Sequence, residues 1–402
     1  MEDHGSQAGC ADSWHLQICL ILADQRRGVF PAPLRIRKIR ETEGLPSPTR
    51  EAPPFVAQRR FMVSGSTWKS LFRCVLWSGW AAVAVLWAGC GDWTAAPAPR
   101  VFRGMCDASA GAWVKPGHFV VACDEDNVLR VYDLAKPGLP EAQLPLDSFL
   151  KVASKHSEAD IEGACRVGDL IYWIASHGRN KNGRPRPNRR RFFAVRISTV
   201  SGKISLSPAG APCAGLLEAI QRLPGLRGFR LDNGRAPKEG GVNIEGLCRD
   251  GRGGLLIGFR SPLRDGKALL APLRNPREAV LRGAQPELGP PIWLDLGGLG
   301  VRSLLRLREG PILILAGPVS ESGRFRLYTW DGQGRPEPTP VRFGEDLGPE
   351  GMLAEARRGP EGPIGLWFLS DDGTRRIGGR RCKDLSVPGE RRFRVFYREL
   401  AR

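Results

Sequence analysis

The sequence predicts an all-β protein of the β-propeller class, and three observations support this prediction. The 402-residue chain has 50 glycines and 33 prolines, about a fifth of all residues, which is typical of short strands joined by tight turns and argues against a helical bundle. Apolar runs of roughly four to seven residues, bounded by Gly, Pro or Asp, recur along the chain. These runs belong to five segments with one shared plan, and recurring units of three or four short strands are the pattern of propeller blades.

Each of the five segments opens with a short motif, continues into two apolar stretches separated by a turn, and ends in polar residues. The segments are Cys106–Leu134, Asp160–Asn180, Asn243–Pro262, Gly300–Pro318 and Pro349–Gly373. Further strands are predicted at Phe192–Ile197, Ala268–Leu273 and Phe325–Trp330. A β-sandwich is an alternative, but a ring of blades explains why Glu-Gly recurs at the head of three units. Five repeats are visible, and we predict five to seven blades.

The two ends of the repeat region are expected to complete one blade. Phe393–Leu400 has the composition of a strand but no opening motif of its own, and we predict that it pairs with a strand at Val101–Phe102. Such pairing would close the ring and leave no free edge. One helix is predicted between the second and third units, at Ala214–Leu223, where apolar residues fall at helical spacing.

The front of the chain has the layout of an export signal. An uncharged apolar run, Val75–Gly89, follows Lys69 and Arg73 and ends immediately before Cys90. The run is shorter than the roughly twenty residues that span a bilayer. It resembles a bacterial lipoprotein signal, in which Cys90 becomes the lipidated first residue of the mature protein.

A signal of this kind must lie at the start of the chain, so Met62 is the expected start of translation and residues 62–90 the signal segment. Residues 1–61 are then a misassigned or disordered extension, the alternative being a cytosolic arm before a signal anchor. Residues 91–100 are expected to be a flexible tether, and residues 101–402 the propeller domain. The expected location is the cell envelope, on the periplasmic side of a membrane held through Cys90, or outside the cell.

The formal charge of +18 favours anionic partners, either a small molecule or an envelope polymer. Export, and the lack of zinc-finger or RNA-recognition motifs, argue against nucleic-acid binding. The densest basic run, Arg179–Arg191, is interpreted as a solvated loop. The cysteines after Cys90 show no C-x-x-C spacing, which argues against a zinc site and leaves both buried thiols and disulfides open.

Propeller geometry predicts where the charged residues of the repeats meet. The first strand of each blade lines the central channel and the second runs back, so repeat heads and second-strand ends share one mouth of the channel. The residues predicted to form a ligand-binding face there are Asp107, Asp124, Asp126, Glu162, His177, Arg179, Glu245, Arg260, Arg302, Glu350, Asp371 and Asp372. Charge near the axis must be solvated, paired or bound to a ligand.

Two interpretations of this face stay open. In the first, Glu162, Glu245 and Glu350 pair with Arg260 and Arg302 and staple the ring together, as in a non-catalytic scaffold or interaction protein. In the second, the three glutamates hold a hard cation such as calcium, and the neighbouring arginines bind an anion. Metal-assisted hydrolysis of an ester or phosphoester is then the predicted activity, with no catalytic residue assigned. Motifs of serine hydrolases, zinc proteases and P-loop nucleotide hydrolases are lacking.

The repeat region closely resembles the bacterial domain of unknown function numbered 3616. The matching stretches are C-D-A-S-A with A-C-D-E-D-N-V-L-R-V-Y, D-I-E-G-A with Y-W-I-A-S-H-G-R-N, N-I-E-G-L with L-I-G-F-R-S-P, L-D-L-G-G-L-G-V-R-S with I-L-A-G-P, and P-E-G with L-S-D-D-G. This resemblance implies a propeller-like domain with no established activity. More remotely, the repeated Glu-Gly is similar to esterase-like propellers related to phytases, some of which bind calcium, but that likeness assigns no catalytic residue.

Overall fold

The computed structural model describes residues 97–401 except residues 153–154, 309, 321 and 356–361. The predictions for residues 1–61, for the signal segment 62–90 with Cys90, and for most of the tether 91–100 fall outside the described residues. The described chain is all-β, as predicted, and its strands form five four-stranded antiparallel sheets arranged as the blades of a propeller. Among the described residues, no helix is long and apolar enough to cross a membrane.

Strand β1 (Arg100–Arg103) begins the described chain, and the next four sheets follow it in sequence order. Blade 1 contains β2 (Ala108–Lys115), β3 (His118–Cys123), β4 (Val128–Asp133) and β5 (Ala142–Pro145). Blade 2 contains β6 (Ile161–Val167), β7 (Leu170–Ala175), β8 (Phe192–Val200) and β9 (Lys203–Cys213). Blade 3 contains β10 (Asn243–Arg249), β11 (Leu255–Ser261), β12 (Lys267–Leu273) and β13 (Ile292–Asp295). Blade 4 contains β14 (Gly300–Arg306), β15 (Ile312–Gly317), β16 (Arg326–Trp330) and β17 (Glu337–Pro338).

Blade 5 combines both ends of the described chain. It contains β18 (Pro349–Ala354), β19 (Ile364–Ser370), β22 (Arg392–Leu400) and β1, in that order. A short hairpin of β20 (Arg376–Ile377) and β21 (Arg380–Arg381) lies between β19 and β22 in the sequence. Val101 is opposite Arg394, so the predicted pairing of the two end strands is confirmed. Closure of the ring by this sheet stays a prediction.

Short helices connect the strands. The α-helices are α1 (Asp147–Leu150), α2 (Leu216–Gln221) and α3 (Pro276–Leu281), and the 3-10 helices are Pro187–Arg189, Pro224–Leu226, Pro237–Glu239, Cys382–Asp384 and Pro388–Glu390. The predicted helix at Ala214–Leu223 corresponds to α2, whose Leu216, Leu217 and Ile220 are buried.

The second strand of each blade is a continuous apolar run and does not alternate with polar residues, because neighbouring blades cover both faces of the blade. Every residue of β7, β15 and β19 is buried. Separate hydrophobic cores lie between blades 1 and 2, 2 and 3, 3 and 4, 4 and 5, and 5 and 1. The outermost strands have only one covered face, and β9 is accordingly mostly exposed and polar.

All five innermost strands carry a register shift at the same point. In β2, β6, β10, β14 and β18 one residue near the start has no partner on the neighbouring strand. The skipped residues are Ser109, Glu162, Glu245, Arg302 and Glu350. A β-bulge turns a side chain away from its normal alternation. The end of the innermost strands that carries these bulges is called the bulge end below.

The glycine after the bulged glutamate has a packing reason. A Cβ atom on Gly246 would lie 2.7 Å from Val301 Cγ1 and 2.8 Å from Leu304 Cγ, both on the innermost strand of the next blade. A Cβ on Gly163 would likewise lie 3.1 Å from Leu247 Cβ of the following blade. In blades 2 and 3 the Glu-Gly pair therefore couples a bulged charge to a close approach between blades, whereas a Cβ on Gly351 would meet Leu369 of its own blade.

Candidate functional site

The five bulged residues bring three carboxylates, one guanidinium and one hydroxyl to the bulge end. The Ser109 hydroxyl donates to the Ile161 carbonyl at 2.5 Å and so links blade 1 to blade 2. Arg302 is 6% exposed and forms ion pairs with Glu245 on one side and Glu350 on the other. The bulged arginine thus pairs with two of the three bulged glutamates.

Glu245 is surrounded by donors. It is 3% exposed, and its Oε1 accepts from Asn243 Nδ2 at 2.7 Å, Arg260 Nη1 at 3.0 Å and Arg302 Nη1 at 3.2 Å. Its Oε2 lies 3.0 Å from Arg302 Nε. Arg260 also donates to the Pro318, Val319 and Ser320 carbonyls of blade 4, so blades 3 and 4 are joined through this residue.

Glu162 has a different environment from the other two glutamates. Its carboxylate forms no ion pair within the described part of the chain, and it is grouped instead with Asp124 and Asp160, one ligand atom from each lying within 4.8 Å of the others. Burial raises the pKa of Glu162 well above its usual value, and Glu245, Asp160 and Asp124 raise it further, while Arg302 lowers it. Three acidic side chains from blades 1 and 2 therefore crowd one point of the bulge end.

Asp124 and Asp107 extend this carboxylate cluster into blade 1. Asp124 Oδ1 is buried and has no hydrogen-bond partner among the described residues. Burial raises the pKa of Asp124 well above its usual value, and Asp107 is the next cause. Burial, with Asp371 and Glu125, raises the pKa of Asp107 to about 8, so this carboxyl is protonated at neutral pH and is able to donate a proton.

Asp371 reaches the same end from blade 5. It forms an isolated antiparallel bridge with Asp107, and its Oδ1 accepts from the Gly373 amide at 2.8 Å. Gly373 has to be a glycine here, because a Cβ at that position would overlap Asp107 Oδ1. Blades 5 and 1 thus meet at two aspartates, one of which holds a proton.

Asp160 and Arg189 belong to this site although our sequence analysis assigned them no role in it. Asp160 accepts from the Ser176 hydroxyl and lies 2.8 Å from Arg189 Nη1. Arg189 Nη2 contacts Glu158 at 2.5 Å. Burial, followed by Asp160, raises the pKa of Glu158 to about 7. The alignment of D-I-E-G with N-I-E-G was the available signal, because it puts Asp160 at the position of Asn243.

Four residues of the predicted ligand-binding face have partners outside the bulged residues and the carboxylate cluster. Asp126 forms an ion pair with Arg130 of β4, in its own blade, at 2.7 Å. Asp372 is buried and pairs with Arg394 of β22 at 2.7 Å. Arg179 pairs at 2.5 Å with Asp232, which lies in the loop after α2.

His177, the fourth, is buried. Its Nδ1 donates to the Ala175 carbonyl at 2.8 Å, and its Nε2 is buried without a partner among the described residues. Burial lowers the pKa of His177 to about 4, and the nearby Arg190 and Arg191 lower it further, whereas Ala175 and Glu218 oppose the shift. The imidazole is therefore an uncharged group held in place by the backbone.

This burial predicts a pH dependence of stability. Because the folded-state pKa of His177 lies below the ordinary value of 6.5, the folded protein binds fewer protons than the unfolded chain between those values. The resulting stability is present above pH 6.5 and is lost as the pH falls towards 4. The loss at pH 4 is about 3 kcal/mol at 1.36 kcal/mol per pKa unit. We expect His177→Asn to remove this part of the fall in the free energy of unfolding. Urea unfolding at several pH values between 4 and 7 measures it.

His156→Asn is a matched control for this measurement. His156 also has a positive φ, 61° against 56° for His177, which asparagine tolerates, but its side chain is exposed. The control should keep the wild-type pH profile. A His177→Asn profile that parallels the wild type would show that His177 does not titrate in this range.

Comparison with solved structures gives weak likenesses. Glutaminyl cyclase of Myxococcus xanthus is 12% identical, with a TM-score of 0.38, and the match covers 76% of this chain and 96% of that chain. The PQQ-bound aldose sugar dehydrogenase of Streptomyces coelicolor is 15% identical, with a TM-score of 0.35, over 76% of this chain and 100% of that chain. At these TM-scores neither likeness bears on function. No curated protein matches the chain.

A family model gives the clear match. Residues 107–203 and 218–358 match the model described as "Protein of unknown function (DUF3616)", which is more than half of the 402 residues. The matched ranges include the bulged residues of all five blades, and they agree with the resemblance found in the sequence. The chain therefore belongs to the DUF3616 family.

Proposed function

We propose that this protein binds a divalent cation, calcium by preference, at Asp124, Asp160 and Glu162, and that the cation holds an anionic ligand at the bulge end of the channel. The observation that carries the proposal is the crowding of these three carboxylates within 4.8 Å of one another, with Asp124 Oδ1 buried and unpartnered among the described residues. Of the three, only Asp160 pairs with Arg189 in the described part of the chain, so the charge of Asp124 and Glu162 remains to be balanced by protons or a cation. Calcium takes six to eight oxygen ligands, which leaves positions for the oxygens of a phosphate or carboxylate.

In this proposal the charged residues of the bulge end have two different roles. Glu245 and Glu350 are neutralised by Arg302, and Glu245 also by Arg260, so these residues join blades. Glu162 occupies the same position in its blade but faces carboxylates. In this proposal Glu245 and Glu350, which were predicted to share a cation with Glu162, pair with arginines instead, and Asp124 and Asp160 take their place beside Glu162.

An ester or phosphoester is the ligand class that fits this arrangement. A cation at the cluster would polarise the oxygen of a bound phosphoryl or acyl group and lower the pKa of a bound water. Asp107, which lies next to Asp124 and whose pKa is raised by burial to about 8, is the group placed to protonate a leaving oxygen. The proposed activity is hydrolysis of such an ester.

We expect calcium to stabilise the wild-type protein at pH 7.5. By mass action, a hundredfold excess of calcium over its dissociation constant adds about 2.7 kcal/mol to the free energy of unfolding. Glu162→Gln should abolish the calcium-dependent rise in melting temperature without lowering stability in the absence of calcium, because it removes one of several mutually repelling carboxylates. Scanning calorimetry with and without calcium measures both effects.

Glu245→Gln is the matched control for the calcium experiment. It makes the same chemical change at the equivalent bulge, but it breaks ion pairs with Arg260 and Arg302. It should lower stability with or without calcium and keep the calcium-dependent shift. If calcium has no effect on the wild type, or the same effect on Glu162→Gln, the cation site is wrong. Turnover of p-nitrophenyl phosphate and p-nitrophenyl acetate, lost in Asp124→Asn, tests the hydrolytic activity separately.

A non-catalytic interaction propeller is the second candidate. It is favoured by the extent of the ion-pair network at the bulge end, in which Glu245, Glu350, Arg260 and Arg302 are all engaged. Calcium-dependent stabilisation without turnover of either ester would favour this candidate.

We also propose that the protein is exported and held on the envelope through a lipidated Cys90. The ordered signal features of residues 62–90 support the proposal, as does the disulfide between Cys106 and Cys382, because disulfides persist in oxidising compartments. Intact-mass analysis of membrane fractions should give a mature chain that begins at acylated Cys90. Cys90→Ser should release the protein from the membrane fraction. A mature protein that retains residues 1–61 would contradict this location.

A further inference from the structure

The innermost strands carry a second ring of charge at the end opposite the bulges, called here the arginine end. Four positions after the bulge, blades 1 to 5 have in turn Trp113, Arg166, Arg249, Arg306 and Ala354. Four residues of β-strand span about 13 Å, so this ring is well separated from the carboxylate cluster. Blades 2, 3 and 4 thus each present a guanidinium at this end.

A cavity of about 640 Å³ opens at the arginine end. All five innermost strands contribute to its lining, which includes the three arginines of the ring. Its walls are largely apolar, and the lining residues that are partly exposed include Trp113, Ala164, Leu305 and Ala354. This volume lies within the range of sites that hold small organic ligands.

The three arginines are not neutralised by carboxylates. In the described ranges no Asp or Glu lies within ion-pair distance of Arg166, Arg249 or Arg306. Arg166 donates to the carbonyls of Trp113, Val114 and Gly168, and Arg306 donates to the carbonyl of Asp250 at 3.3 Å. Carbonyl groups orient a guanidinium but leave its charge and its remaining N–H donors available.

The rest of the lining keeps the negative charge low. Cys165 and Cys248 also belong to the lining, and both thiols are neutral because burial raises the pKa of each. Glu355, from blade 5, is a carboxylate of the lining and accepts from Trp367 Nε1 at 2.8 Å. The positive side of the cavity is therefore formed by blades 2 to 4, over an apolar interior.

We propose that the cavity at the arginine end binds a small anionic amphiphile, in which a phosphate or carboxylate group is carried on a short hydrocarbon body. The guanidinium groups of Arg249 and Arg306 would hold the anionic group, since arginine pairs well with phosphate and carboxylate. The hydrocarbon body would replace water against the partly exposed Trp113, Ala164, Leu305 and Ala354. This ligand site is independent of the proposed cation site at the bulge end.

Isothermal titration of the purified full-length protein with butyl, hexyl and octyl phosphate tests the proposal. We expect one site per chain and affinity that rises about fourfold for each added methylene buried. Inorganic phosphate and hexanol should each bind far more weakly than hexyl phosphate. Arg249→Gln/Arg306→Gln should weaken hexyl phosphate binding at least tenfold while the melting temperature stays near the wild-type value.

Arg227→Gln/Arg230→Gln is the charge-matched control. Both of these arginines are exposed and lie outside the cavity, so their loss should leave hexyl phosphate binding unchanged. Equal weakening in the control, or affinity that is independent of chain length, would overturn the proposal. Cosedimentation with phosphatidic-acid vesicles that needs Arg249 and Arg306, without binding of hexyl phosphate, would also overturn it and assign the arginines to a lipid surface.

Discussion

Arg302→Met should destabilise the protein by about 3–5 kcal/mol, the cost of removing one partner from a buried ion pair. Arg302 is 6% exposed and lies between Glu245 at 3% and Glu350 at 9%. Methionine fills similar space but leaves the buried Glu350 carboxylate without a cation and Glu245 with Arg260 alone. Chemical denaturation of the two proteins at pH 7.5 measures the difference.

Two further variants make this measurement specific. Arg335→Met removes an arginine whose ion pair with Asp295, at 3.0 Å, is exposed, and it should change stability very little. Adding Glu245→Gln and Glu350→Gln to Arg302→Met should restore part of the lost stability, because the uncompensated charges are removed together. A loss in Arg302→Met no larger than that in Arg335→Met would show that the central ion pairs do not support the fold.

Removal of the disulfide should have the other large effect. Cys106 and Cys382 are bonded across 276 residues of sequence, and both are buried. In the chain-entropy model, a loop of this length restricts the unfolded state enough to contribute about 5.6 kcal/mol. We expect Cys106→Ala/Cys382→Ala to lose up to this amount in urea unfolding under oxidising conditions.

Reducing agent provides the control for the disulfide. It should lower the stability of the wild type towards that of the double variant and leave the variant unchanged, because the four other cysteines of the described chain are free thiols. Peptide mapping should recover the Cys106–Cys382 pair from oxidised wild-type protein. Equal stability of the wild type and the variant under oxidising conditions would contradict the prediction.

The fold could be predicted because its evidence is local. Each second strand is an uninterrupted apolar run, since both of its faces are covered, and runs such as Leu170–Ala175 and Ile312–Gly317 are visible in the sequence. The outer strands were harder to find. Lys203–Cys213 forms the longest of them, but its exposed, polar residues resemble those of a loop.

The site could be predicted only in part, because its pairing depends on contacts between blades. Repeat alignment placed Glu162, Glu245, Arg302 and Glu350 at equivalent points, and the bulges confirm that equivalence. The alignment could not distinguish Glu162 from Glu245, since their different partners come from neighbouring blades. Arg179 pairs with Asp232, 53 residues away, in a loop whose path the sequence pattern does not reveal.

The composition of blade 5 has a consequence for the order of biosynthesis. Its outermost strand, β1, is the first strand of the described chain to be made, and β22, on which β1 depends for its hydrogen bonds, is the last. At ordinary rates of translation the interval between the two is on the order of tens of seconds. During that interval Phe102 and the rest of the core between blades 5 and 1 lack their partners Phe393 and Val395. The nascent chain therefore exposes an apolar surface and an unpaired strand until its final residues emerge, and a holding chaperone would have its greatest effect at that stage.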